Sequence, residues 1–174
     1  TQQTLSFLYP KSWSYSEADR AFLATIREME KPYPQRKPVR HPNEPMAKIL
    51  VPVGETLGVV LARKDAYLRL LRLELALQEY RKRHGRYPAT LAQLSPEIMT
   101  AVPLDPFTER PLVYRPQGSA YSLYSLGPDQ RDDGGIPAPP RNLGPKTHGD
   151  FVAGRLGPQR IGAPPAPPPR RATQ

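Results

Sequence analysis

The stretch ETLGVVLARKDAYLRLLRLELALQEYRKRHGRYP, residues 55–88, decides the reading of the fold. Leu57, Val60, Leu61, Leu68, Leu71 and Leu75 recur at helical spacing and define one face, which Leu70, Leu73, Leu77 and Tyr80 widen. A helix over about 55–83 that is apolar beyond a single stripe is expected to be covered on more than one side. His84-Gly85 supplies its stop, because glycine accepts the left-handed conformation that closes a helix. Arg81, Lys82 and Arg83 suit the negative end of the helix dipole and read as a solvated face.

Downstream of Tyr87-Pro88, a turn of helix through Leu91 and Leu94 ends by Ser95-Pro96. Residues 112–115 and 121–126 then alternate as two strands, joined through Pro116, Gln117, Gly118 and Ser119, which predicts an antiparallel hairpin on the helix. The expected fold class is therefore α+β, a long helix packed on a small antiparallel sheet. Upstream, Ser16 followed by Asp19 is a capping signal, and Ala18, Phe22, Ile26 and Met29 repeat at helical spacing, predicting a short helix over about 16–30. Pro32, Pro34, Pro38, Pro42 and Pro45 then break any regular ladder. That leaves an extended basic connector with Arg36, Lys37, Arg40 and His41, either a spacer or a strap laid over another protein.

The chain of 174 residues holds 24 Pro, 12 Gly and no Cys, enough apolar material for one modest core flanked by arms. Absence of cysteine removes disulfide scaffolds, thiol catalysis and cysteine-ligated metals. No stretch approaches the ~20 apolar residues of a bilayer span. The chain starts at Thr1 without a basic, apolar export signal, the pattern expected of a processed or trimmed product. Charge divides it into three zones. Residues 1–54, an N-terminal arm with a short helix and Pro-rich connector, carry 8 Lys/Arg and 5 Asp/Glu. Residues 55–135, the folded domain, carry 11 and 10, and residues 136–174, a basic Pro-rich C-terminal arm, carry 6 and 1 with 10 of the prolines.

Four segments come in a telling order: Leu77–Tyr80, then His84-Gly85-Arg86-Tyr87-Pro88, then Pro103-Leu104-Asp105-Pro106-Phe107, then Tyr121-Ser122-Leu123-Tyr124-Ser125-Leu126-Gly127-Pro128-Asp129. This order resembles the C-terminal globular domain of type II secretion major pseudopilins and the pseudopilin-like domains of bacterial exported proteins. The resemblance spans about residues 66–135. It implies an extracytoplasmic, periplasmic structural protein tied to secretion, and association with the membrane through an anchor outside this chain or through partners. Family members begin with a long apolar anchor helix, which these 174 residues do not contain, and Phe107-Thr108-Glu109-Arg110 stands where the family often has Trp-Gly-Asn.

Asp129, Asp132 and Asp133 form the candidate metal site. Three carboxylates so close repel one another unless solvent or a cation separates their charge, and oxygen ligands on a flexible loop favour calcium over zinc. Arg131 stands where an EF-hand needs its second Asp or Asn, so the loop is not of that type. The resemblance implies calcium at the same place, with Asp129 matching the family's aspartate. An ordinary acidic turn, with Asp132-Asp133 solvated or paired to Arg131, is the alternative. Asp105, held extended before Pro106, reads as structural. Tyr87, Tyr114, Tyr121 and Tyr124 read as packed aromatic neighbours.

His41, His84 and His148 are the only histidines, and no metalloprotease, serine-hydrolase or phosphate-loop motif occurs, so the expectation is a protein that is not an enzyme. The tail's only aromatic residue, Phe151, is too little stacking surface for single-strand binding, so no specific nucleic-acid partner is expected. The expected partners are protein subunits of a membrane-associated assembly. Two roles follow: a structural or assembly protein with a calcium-stabilised domain, or an accessory subunit that binds and stabilises a large membrane complex through its arms.

Overall fold

One helix organises everything else. α2 runs from Pro45 to His84, 40 residues or about 60 Å. Pro45 sits at the helix start, where its missing N–H costs nothing. Arg81, Lys82 and Arg83 occupy the last turn. Gly85 (φ +71°) then donates its N–H to the Arg81 carbonyl at 2.8 Å, the expected stop. The computed structural model describes residues 15–39, 45–141 and 143–154.

The remaining elements, in order, are α1 (Tyr15–Glu30), a 3₁₀ turn (Tyr33–Gln35), α2, a second 3₁₀ turn (Leu91–Leu94), β1 (Val113–Gln117), β2 (Ala120–Ser125) and β3 (Phe151–Val152). The strands form one antiparallel sheet in the order β1-β2-β3, so the chain is an α+β protein. Gln117 pairs with Ala120, leaving Gly118 (φ +62°) and Ser119 as a two-residue turn, tighter than the four-residue link read from the sequence. The core lies between one face of α2 and the sheet: Val59, Ala66, Leu70, Leu73 and Leu77 meet Phe107, Leu112, Leu123 and Phe151. Tyr87 and Tyr114 pack on Tyr121 with ring centroids 4.8 and 5.9 Å apart, the aromatic packing expected of them.

Four expectations are corrected. The helix starts ten residues before Glu55, so the boundary drawn at 54/55 falls inside α2. Pro52, Gly54 and Gly58 look like breakers, yet both glycines are where α1 comes close: a Cβ on Gly54 would stand 2.5 Å from Thr25 Cγ2. The α1 face against α2 holds Ala21, Thr25 and, from the expected face, Met29 at Gly58, while Phe22 and Ile26 are exposed and the Ala18 side chain lies outside those described. Small residues win because the two helices approach closely.

Between residues 31 and 38 the connector expected to be a spacer or a strap is fastened to its own domain. Arg36 donates to the carbonyls of Lys31, Met29 and Gly58, and Tyr33 meets the Phe107 ring edge-on at 4.7 Å. The guanidinium thus caps the end of α1 and ties it to α2, while Arg40 and His41 lie outside the described residues. Finally, residues 136–154 are not an arm. Leu143, Asp150 and Phe151 are buried, and β3 pairs with β2 through Tyr124↔Val152 and Ser125↔Phe151. The polyproline stretch of the tail lies outside the described residues.

Candidate cation site and an uncovered helix face

The acidic loop leaves β2 at Leu126 and returns to β3 at Phe151, and its closure depends on glycine. Gly149 (φ +104°) lies so close to its neighbour that a Cβ would fall 2.6 Å from the Ala138 backbone. The returning strand is clasped reciprocally: Gly149 N–H donates to Asp133 Oδ2 and Gly135 N–H to Asp150 Oδ2, each at 2.7 Å. A bridge between Pro137 and Asp150 holds the two limbs side by side.

This closure brings His148 to the acidic residues. One ligand atom each from Asp129, Asp133 and His148 lies within 4.8 Å of the others. The Asp129 side chain is 7% exposed and His148 is 73% exposed, with His148 Nδ1 2.7 Å from Asp129 Oδ2. Among the described residues that oxygen accepts no hydrogen bond, and the ring nitrogen meets it only as an ion-pair contact. Asp129 Oδ1 accepts the Arg131 N–H at 3.2 Å. Asp150, 1% exposed, also keeps one oxygen without a hydrogen bond. Burial pushes its carboxyl up to about 6, against the lowering by the Gly135 N–H.

Asp132 stands apart from this group. It accepts from Gly134 N–H and Tyr124 O–H and pairs with Arg115 at 2.8 Å, contacts that hold its carboxyl below the usual carboxylate range. Of the three aspartates singled out in the sequence, the loop gathers Asp129 and Asp133, spends Asp132 on the sheet, and adds His148. Two buried or half-buried carboxylates and nearby carbonyls suit a hard cation such as calcium, whereas an imidazole suits softer metals. Asp129 and Asp133 would hold calcium only with the exposed His148 ring turned aside.

Asp105 is structural, as read. Its Oδ1 accepts from Phe107 N–H and Ser125 O–H and its Oδ2 from Leu126 N–H, each at 2.9 Å, so it joins the Asp-Pro-aromatic loop to the end of β2. His84 stacks on Tyr80 at 4.1 Å with its Nε2 3.8 Å from Glu97 Oε2, whereas His148 Nδ1 lies 2.7 Å from Asp129 Oδ2.

The second feature is on α2. At about 100° per residue, Val59, Ala62, Ala66, Leu70, Leu73, Leu77 and Tyr80 fall within one arc of roughly 80° and are buried. Leu57, Leu61, Leu68, Leu71 and Leu75 fall within an equal arc on the opposite side and are 38–64% exposed. The helix therefore has two apolar faces, and the sheet covers one. The face expected to lead the core is the one turned to solvent, while the residues expected to widen it form the core itself.

Among the described residues, no helix is long and apolar enough to cross a membrane. No protein-family model, curated protein or solved structure matches the chain.

Proposed function

We propose that the chain is a noncatalytic structural or assembly protein of the extracytoplasmic space, a pseudopilin-like domain that takes its place in a larger protein assembly through the outer leucine face of α2. The observation that carries this reading is that face: five leucines in line, each at least 38% exposed, on a helix whose opposite side already has its core. Contiguous apolar patches beyond a few hundred Å² on a folded domain mark interaction surfaces. The ordered motifs ending in Tyr121–Asp129 support the secretion-related setting, and the cation reading attaches to Asp129 and Asp133. The accessory-subunit alternative needs arms free to reach neighbours, and residues 31–38 and 136–154 are engaged with their own domain. The test is a photo-crosslinking residue at position 68 in cells producing the protein. Covalent adducts are expected there and not at Ala92, exposed on the second 3₁₀ turn. A folded protein that yields none at position 68 overturns the reading.

A further inference from the structure

Resting on that reading, the geometry points to a second copy of this chain as the occupant of the leucine face, lying antiparallel along α2. The stripe Leu57, Leu61, Lys64, Leu68, Leu71, Leu75 has successive spacings of 4, 3, 4, 3 and 4 residues. Positions 57, 64 and 71 and positions 61, 68 and 75 each recur every seven residues, a heptad of about 3.5 residues per seam position, the period that keeps a seam facing a partner helix in a left-handed coiled coil. Read from either end, the spacing is the same, so a two-fold axis beside Ala66 superposes the stripe on its own reverse. Leu57 then meets Leu75 of the second copy, Leu61 meets Leu71, and Lys64 meets Leu68. Four of the five leucines meet leucine, and Leu68 meets the Lys64 stem.

Charge selects this direction. In the parallel arrangement Lys64 faces Lys64, and the Arg81-Lys82-Arg83 ends of both helices lie side by side with their dipole ends aligned. In the antiparallel one each Lys64 lays its stem on leucine and brings its ammonium one turn from Asp65 of the second copy. That carboxylate is 45% exposed and, among the described residues, pairs with Arg69. The basic ends of the two helices then lie far apart, each beside Val53 and Ile49 of the other chain, which are 58% and 62% exposed. The five leucines present roughly 450 Å² per chain, so the pair buries about 1,000 Å², the low end for a specific interface. A micromolar dimer follows, one that a larger assembly can open.

Sedimentation of the purified chain from 1 to 200 µM is expected to show monomer giving way to dimer. Leu61→Asp should raise the dissociation constant at least 100-fold without altering the circular dichroism spectrum, since Leu61 is 50% exposed and faces Leu71 of the second copy. Lys64→Leu should tighten it about tenfold. The chain has no cysteine, so Leu57→Cys and Leu75→Cys report direction cleanly. Under a mild oxidant each alone should stay free of disulfide and their mixture should form a disulfide-linked pair. A chain monomeric at 200 µM, or Leu57→Cys linking to itself as readily as to Leu75→Cys, overturns the proposal. A monomeric chain whose position 68 still crosslinks to a different protein in cells sinks the self-pairing alone and leaves the assembly role standing.

Discussion

Asp105→Asn separates the fold's central polar clamp from ordinary loop chemistry. The carboxylate is 1% exposed and takes three donors at 2.9 Å, two of them backbone N–H groups in different segments. Burial pushes its carboxyl above the ordinary carboxylate range, and the donors pull it back. Asparagine can keep Oδ1 toward Phe107 and Ser125 but must then aim its amide N–H₂ at the Leu126 N–H, donor against donor. One charge-assisted hydrogen bond disappears and a half-buried N–H is left without a partner, each costing about 1.5–3 kcal/mol, with partial overlap between the two. The expected loss is about 2–4 kcal/mol, and Asp105→Ala, which orphans all three donors, should lose more. Against a typical domain stability of about 5–15 kcal/mol this is a large fraction. Urea unfolding followed by far-ultraviolet circular dichroism at pH 7 measures it. Ser125→Ala and the double variant complete a cycle whose coupling should be about 1 kcal/mol. An Asp105→Asn protein within 0.5 kcal/mol of the parent, at an unchanged denaturant slope, would show the clamp to be incidental.

Gly149→Ala should cost about 3 kcal/mol or more, since it combines a positive φ of 104° with a Cβ 2.6 Å from the Ala138 backbone; thermal melts of the two proteins settle it. Asp150 gives a pH signature. Its folded carboxyl, up to about 6, holds its proton longer than the unfolded one, so its contribution falls as pH rises from 4 to 6 and is level above that. The full gap is worth roughly 3 kcal/mol, and solvent screening through the thin layer covering Asp150 reduces it to roughly 1–2. The stability difference between parent and Asp150→Asn, measured by denaturation across that range, should show this slope, and a flat difference refutes it. Millimolar calcium should raise the melting temperature of the parent and of Asp132→Asn but not of Asp129→Asn. Equal responses in all three proteins, or none, remove Asp129 from cation binding.

Parts of this architecture were legible because local chemistry and packing agree there. The end of α2 is set by Gly85 and the hairpin by alternation around Gly118, and tertiary contacts leave both in place. The start of α2 was not legible, because Pro52, Gly54 and Gly58 carry a local signal for breakage and a tertiary role in admitting α1. β3 was hidden by its brevity, since two residues show no period and Phe151-Val152 becomes a strand only because β2 offers a free edge. At the candidate site, Asp129 and Asp133 were readable as an acidic loop, but His148 joins them through a reversal that rests on Gly149 and on two carboxylate-to-glycine bonds.

The face of α2 is the most instructive miss. Seven apolar positions and five others lie on opposite arcs with the same period, so spacing alone offers two equally good cores. Size decides between them. Alanines at 62, 66 and 76 sit on the covered side and let the aromatic side chains of Phe107 and Phe151 come close, whereas the outer stripe is leucine at every position but Lys64 and has no recess for a ring. A sheet carrying large aromatic residues packs against the side with room for them, and the even leucine side is left in the shape that another helix fits.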